Sequence, residues 1–404
     1  MGAFDSLRYR DYRLLWTGAV LSNIGTWMHL TALSWYVFLL TRSAFWVSFA
    51  TFANFVPTVL SPLAGVYTDE FDRKKMLVYT QLFMMVSAGV LAILVATHHA
   101  NLFWVLALTF ALGIGFTFNG TTWQAYMPSL VPPESMVNAI ALNSAQFSVA
   151  RVIGPAIAGV LLGLAGAGLI FGINAISFVA VLVALAFIRT GSVRAPQRRT
   201  VRDLLVGGFD YTWRHRRIRA MIVVIAVMSF FGSPVTALLP IFAADVFGRG
   251  AAGYGTLAAA MGVGSVLGAL ALGRRGHVTP RLIAGALVAL GVTLILFASI
   301  SVFWAGAGLL VLFGSAFLIV VSGTNSDIQL HVDEAMRGRA ISAWLLAFGT
   351  TYPAGSLLAG LLAEIWGAPA TMVVGGAVCA VSGLVLWWLP QEALRTEAEL
   401  GLGN

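Results

Sequence analysis

Apolar runs of about 20 residues recur along the whole chain, and each has the length that crosses a hydrocarbon core of about 30 Å. Twelve such spans are expected, at about 14–40, 44–67, 75–97, 102–126, 137–164, 168–188, 220–244, 253–273, 281–300, 303–327, 340–363 and 369–389. Only 10% of the 404 residues are charged and 59% are hydrophobic. A chain in water carries about 25% charged residues, so this one has too little polar surface to cover itself. The expected fold class is therefore an all-α polytopic membrane protein. The first run, Leu14 to Leu40, exceeds a signal-peptide core of about 7–15 residues, and no small-residue cleavage site follows it. A lone cysteine, Cys379, excludes a disulfide within the chain, and no metal-ligand cluster is visible in the sequence.

Charge gives the orientation. With the N-terminus in the cytoplasm, the inner segments hold 21 of the 24 lysines and arginines, and the outer side holds Arg42 and Arg249. The last, Arg151, lies inside a span. This split is the positive-inside pattern, so the net charge of +8 is topological and no nucleic-acid partner is expected. Most connections are short. The exception is the basic segment 189–219, in which Val201, Leu204, Leu205 and Phe209 have the spacing of an amphipathic helix whose arginines would lie against anionic headgroups.

The two halves look related. Ser22-x-x-Gly25 has a counterpart in Ser229-x-x-Gly232, Gln124 in Gln329, and Glu134-Ser-Met136 in Glu334-Ala-Met336, at offsets of about 200. They suggest a parallel duplication of six helices. The domains expected are an N-terminal six-helix bundle (1–188), a cytoplasmic linker (189–219) and a C-terminal six-helix bundle with a short cytoplasmic tail (220–404).

Residues 65–76, GVYTDEFDRKKM, concentrate six charged residues between two apolar runs. With twelve helices, inner termini, parallel halves and this loop after the second span, the chain resembles the major facilitator superfamily. That family's loop reads G-x-x-x-D-(R/K)-x-G-(R/K)-(R/K). Gly65, Asp69, Arg73, Lys74 and Lys75 fit it, while Glu70 and Asp72 replace the basic residue and the glycine. The stretches LRYRDYRLLW (7–16), SNIGTWM (22–28), ARVIGPAIAG (150–159) and RGRAIS (337–342) are similar to the bacterial exporter branch that includes the enterobactin exporter and macrolide efflux proteins. The resemblance implies a fold of two pseudo-symmetric six-helix bundles. It also implies that Asp69 meets the N-terminal end of the eleventh helix, beside Arg337 and Arg339, where the helix dipole favours an anion. Such a contact would latch the cytoplasmic side while the outer side is open. The bland alternative for the loop is a positive-inside stop signal, and Gly65 is expected to permit close helix packing.

Ionisable side chains inside the bilayer cost about 2.5–3.5 kcal/mol on insertion scales and mark candidate sites. Arg151 sits midway along the fifth span before Gly154-Pro155. It would either hold an anionic substrate group or bond carbonyls at the proline kink. His29 shares a helical stripe with Ser22, Thr26 and Tyr36. In the resembling family this helix lines the central cavity, and His29 would carry a coupling proton or donate one hydrogen bond across helices. Asp327 and Glu364 lie near span ends, where ionisation costs less. Asn23, Trp27, Asn119 and Asn143 add polar and aromatic groups suited to an amphipathic organic substrate. The order Gly154-Pro155-x-x-Ala158-Gly159 partly matches the glycine-proline signature of the superfamily's antiporters. Gly159-x-x-x-Gly163 and Gly264-x-x-x-Gly268 permit close backbone approach, and the resemblance implies that their helices cross between the halves. Two departures stand against the usual proton-coupling positions: Thr26 replaces an acidic residue, and residues 102–126 contain no arginine.

The function expected is secondary active export of small amphipathic molecules of drug or siderophore type, in exchange for protons, by a monomer in the bacterial inner membrane without a cofactor. An importer on the same fold is the nearest alternative. A sensor or scaffold would call for a sizeable soluble module, an enzyme for more ionisable residues in the spans, and an ATP-driven pump for a phosphate-binding loop that Lys74 and Lys75 do not complete.

Overall fold

In the computed structural model, residues 4–189, 215–275, 278–332 and 334–389 are described, without the side chains of Glu334 and Ala335. The segment 201–213 therefore lies outside the described residues. Those residues form helices and no strand. In chain order they are α1 (Arg10–Thr41), α2 (Ala44–Phe55), α3 (Ser61–Glu70), α4 (Arg73–Ala96), α5 (Leu102–Tyr126), α6 (Met136–Phe187), α7 (Arg216–Val227), α8 (Val235–Ile241), α9 (Ala251–Arg275), α10 (Pro280–Ser299), α11 (Phe303–His331), α12 (Glu334–Trp366) and α13 (Ala368–Trp388).

Ten helical stretches among the described residues are long and apolar enough to span a membrane. The longest, Pro133–Phe187, covers two expected spans. Its turn is at Gly166, where φ is +73°, a conformation that side chains with a Cβ rarely adopt. Helix α1 has 32 residues but is not among the ten, in keeping with its serines, threonines, asparagine and histidine. The second span is α2 and α3 joined by a 3₁₀ turn, Val56–Leu60, at Pro57. The seventh starts at Arg216, four residues earlier than expected, and runs through π-helical turns at Met228–Gly232 and Phe242–Val246. Local chemistry sets several starts: Asn101 and Thr279 accept hydrogen bonds from the backbone N–H groups of Trp104 (3.1 Å) and Leu282 (3.2 Å).

Two compact units contain the described residues: 4–189 with 243–259, and 215–242 with 260–389. Within each, the same glycine contacts recur. A Cβ on Gly25 of α1 would lie 2.5 Å from Ser177 Oγ of α6. Its counterpart Gly232 lies over Leu290 of α10 and Cys379 of α13, where a Cβ would be 2.9 and 3.4 Å away. Gly113 of α5 presses on the Asn54 carbonyl of α2, and Gly314 of α11 presses on the Met261 carbonyl of α9. Offsets of 207 and 201 residues separate these pairs, which is the duplication expressed in packing. Close approach of backbones at small residues is how membrane helices associate when lipid is as apolar as the side chains.

Of the glycines singled out in the sequence, Gly159, Gly264 and Gly268 make the close backbone approach expected of them, and Gly163 does not. Gly159 meets Gly255 of α9, with 2.7 Å between its would-be Cβ and the Gly255 Cα. A Cβ on Gly163 would meet nothing within 4 Å among the described residues. Gly264 and Gly268 pack on Val311 and Ser315 of α11, and Ser315 Oγ donates to the Gly264 carbonyl at 2.8 Å. So α9 meets α6 about two and a half turns before Gly264, because the small residue that faces Gly159 is Gly255. A Cβ on Gly65 would likewise meet nothing within 4 Å, so Gly65 supports no close packing among the described residues.

Candidate functional site

The first unit assembles a cation on an aromatic wall. Helix α1 crosses α6 where Gly154 leaves room for Trp27, whose Cβ would lie 2.5 Å from a Cβ on Gly154. Pro155 follows, buried, and lacks the N–H that would bond to the Arg151 carbonyl. The Arg151 guanidinium lies 5.4 Å from the centroid of the Trp27 ring, a cation–π arrangement. Phe147, one turn earlier on α6, meets the same indole edge-on at 5.7 Å. Arg151 and Trp27 are half-buried and Phe147 is exposed.

The other polar side chains of these spans stitch helices together. Asn119 Nδ2 donates to Thr80 Oγ1 at 3.0 Å, tying α5 to α4. Asn143 Oδ1 accepts from Trp123 Nε1 (3.1 Å) and Gln146 Nε2 (2.7 Å), tying α6 to α5. Thr26 Oγ1 donates to its own helix, at the Ser22 carbonyl, and Asn23 is half-buried. The His29 stripe differs from its expected place. Ser22, Gly25 and His29 are buried, and Gly18 and Gly25 pack on Ala180 and Ser177. The His29 ring lies tilted by 49° against Phe171, with 4.6 Å between centroids, and neither ring nitrogen has a hydrogen-bond partner among the described residues. This face packs on the second arm of α6 instead of lining an open space, because glycines at 18 and 25 let that arm come close.

The charged loop has a specific job for most of its residues. Asp72 caps α4 by accepting from the Lys75 N–H at 2.9 Å. Arg73 donates to the Ala125 carbonyl (3.0 Å) and Lys74 to the Ile188 carbonyl (2.8 Å), each at a helix C-terminal end where the dipole favours a cation. Arg10 does the same at the Phe187 carbonyl, 3.1 Å away. Asp69 lies 3.5 Å from Arg73 and keeps 41% of its side chain exposed. Arg337 and Arg339, on α12, are exposed.

The second unit holds a buried ion pair that the sequence only half discloses. Asp327, on the last turns of α11, is 1% exposed. Arg217, on the first turn of α7, grips it through two bonds: Nη2 to Oδ1 at 2.7 Å and Nε to Oδ2 at 3.0 Å. His331 lies one turn beyond, with Nδ1 2.8 Å from the Asp327 carbonyl oxygen and 3.6 Å from Oδ1. Asp327 is thus desolvated and paired, within the last turns of its span. Arg217 reads in the sequence as part of the linker. The signal that finds it is the helical spacing of Ile218, Met221, Val224 and Ile225, which puts Arg217 on a first turn.

Comparison with known proteins agrees with this architecture. A family model described as transmembrane secretion effector matches residues 1–399. Macrolide efflux protein A of Streptococcus pyogenes is 24% identical over 298 residues, 71% of this chain and 73% of the relative. The staphyloferrin A transporter of Staphylococcus aureus is 24% identical over 389 residues, 94% and 96% of the two chains. Among solved structures, a POT family transporter in complex with a thioalcohol-conjugated peptide superposes with a TM-score of 0.78 at 14% identity, covering 96% of this chain and 97% of that one. Helical spans, duplicated packing and a family match over almost the full length make this chain a member of the transmembrane secretion effectors of the major facilitator superfamily, a transporter integral to the membrane.

Proposed function

We propose that the protein exports small amphipathic organic molecules, of drug or siderophore type, by alternating access. The observation that carries this reading is the Arg151–Trp27–Phe147 group, a half-buried cation held on an aromatic wall. Aromatic faces suit a ring-bearing substrate, and a guanidinium beside them suits one with an acidic or acceptor group. Relatives named for macrolide efflux and staphyloferrin A transport support the same substrate range. Exchange with protons across a bacterial inner membrane, with both termini in the cytoplasm, completes the proposal. So do two six-helix bundles, the first within 1–188 and the second starting with α7 at Arg216 in place of residue 220, around the basic linker.

Asp69 is the proposed latch. Arg73 is committed to the end of α5 and holds one side of the Asp69 carboxylate, while the exposed remainder is left for the first turn of α12 and for Arg337 or Arg339. The test uses inside-out vesicles containing the protein under an imposed inside-acid gradient, with siderophores, macrolides and cationic dyes as probes. Gradient-dependent uptake of at least one probe is expected, reduced about tenfold or more in Asp69→Asn, since each 1.36 kcal/mol lost from a rate-limiting conformational step is a factor of ten. Uptake only from the opposite vesicle orientation would replace export by import. Unchanged uptake in Asp69→Asn would remove the latch.

A further inference from the structure

The second unit carries an open groove on α10 and α11 with a volume of about 740 Å³. Its floor is made of small, buried residues, Ala286 and Ala316, and its rim of exposed Leu296 and Leu312. The groove follows α10 from Arg281 to Leu296, which at 1.5 Å per residue is about 22 Å. That exceeds one leaflet of the hydrocarbon core, about 15 Å. The lining is almost wholly apolar except at one end, where Arg275, the last residue of α9, and Arg281, on the first turn of α10, stand at its mouth. Both arginines are exposed, and neither is in an ion pair among the described residues. The indole of Trp387 closes the same end, lying over Gly285, where a Cβ would be 3.3 Å from the ring.

We propose that this groove is a binding site for one anionic phospholipid of the leaflet into which Arg275 and Arg281 reach. The floor and rim take an acyl chain. The two guanidiniums take the phosphate, for which a planar donor fork is well matched. Trp387 sits at headgroup level, where an amphipathic ring is favoured. A zwitterionic lipid would fill the same groove but bring no net charge to the two arginines. A basic residue near an anionic lipid surface contributes about fivefold in affinity, so the pair provides about 25-fold selectivity.

The test titrates delipidated, detergent-purified full-length protein with palmitoyl-oleoyl phosphatidylglycerol or phosphatidylcholine and counts bound lipid by native mass spectrometry. One phosphatidylglycerol should bind at least tenfold more tightly than phosphatidylcholine. Arg275→Gln/Arg281→Gln should bring the two lipids to within about twofold. Ala289→Trp, which fills the groove, should reduce retention of both. The arginine variant changes exposed side chains, so its elution as monodisperse protein keeps the test valid even where the tryptophan variant does not fold. Equal binding of the two lipids to the unmodified protein would overturn the proposal, as would undiminished phosphatidylglycerol binding in the arginine variant. Displacement of the lipid by glycerol phosphate alone would show a headgroup site without the groove and overturn it too. A dimer that Ala289→Trp dissolves would assign the groove to a second copy of the chain.

Discussion

Asp327→Asn is expected to destabilise the protein by about 3–5 kcal/mol, because it leaves the Arg217 guanidinium buried without its carboxylate. The pair is nearly closed to solvent, with side-chain exposures of 10% and 1%, and both bonds of the guanidinium fork are short. Removing one member therefore exposes the desolvation cost that the other was offsetting. Removing both should not. Arg217→Met/Asp327→Leu replaces the pair with apolar groups of similar size and is expected to recover most or all of the loss. Unfolding of the purified protein in mixed detergent and dodecyl sulfate measures the two variants on one scale. A double variant as unstable as the single one would mean that the pair holds α7 to α11 through geometry that apolar contact cannot replace. The same double variant also tests Asp327 as a coupling group. If it is stable and its transport still follows the proton gradient, the pair is a structural pin and coupling lies elsewhere. If it is stable but transport no longer responds to the gradient, Asp327 carries the coupling.

That pair also marks where reading the sequence stops. Span positions, the duplication and the family were legible because hydrophobic length and positive charge are one-dimensional signals, and lipid enforces both. The turn at Gly166 was legible for the same reason, since residues 137–188 are too long for one crossing. Partners across helices are not written that way. Asn119 and Asn143 read as cavity amides, yet each finds a hydrogen-bonding neighbour one helix away, Thr80 and Trp123. His29 lies on the polar stripe of α1 as expected, but the stripe faces α6 because Gly18 and Gly25 lie on it too. Arg151 shows the converse. Its spacing to Gly154-Pro155 pointed to a kink, while the structure adds the ring of Trp27, which comes from the helix that Gly154 admits. Lys74 was read with the latch, and its bond to the Ile188 carbonyl makes it a cap for the end of α6.

The glycines that press on carbonyls should prove the least replaceable positions in the chain. At Gly113 and Gly314 an added Cβ would overlap the backbone oxygens of Asn54 and Met261, and at Gly264 that of Val311. The obstacle in each case is main chain, which cannot rotate away as a side-chain end can. A helical glycine replaced by another residue gains at most about 1 kcal/mol in helix propensity, and valine gains less. Overpacking costs about 1–3 kcal/mol, and a backbone obstacle sets the upper end. Packing therefore wins, and Gly113→Val, Gly264→Val and Gly314→Val are each expected to lose about 3 kcal/mol. Gly163→Val meets nothing within 4 Å and should stay within about 0.5 kcal/mol of the unmodified protein. Because Gly113 and Gly314 occupy matching places in the two units, their losses should be of similar size. Dodecyl sulfate unfolding of the four variants checks this directly. Equal stability of Gly314→Val and Gly163→Val would mean that α9 and α11 can separate without cost, and the contact would then be incidental to the fold. A large loss at Gly314 with none at Gly113 would restrict the argument to the second unit, and the duplication seen in the packing would not extend to its energetics.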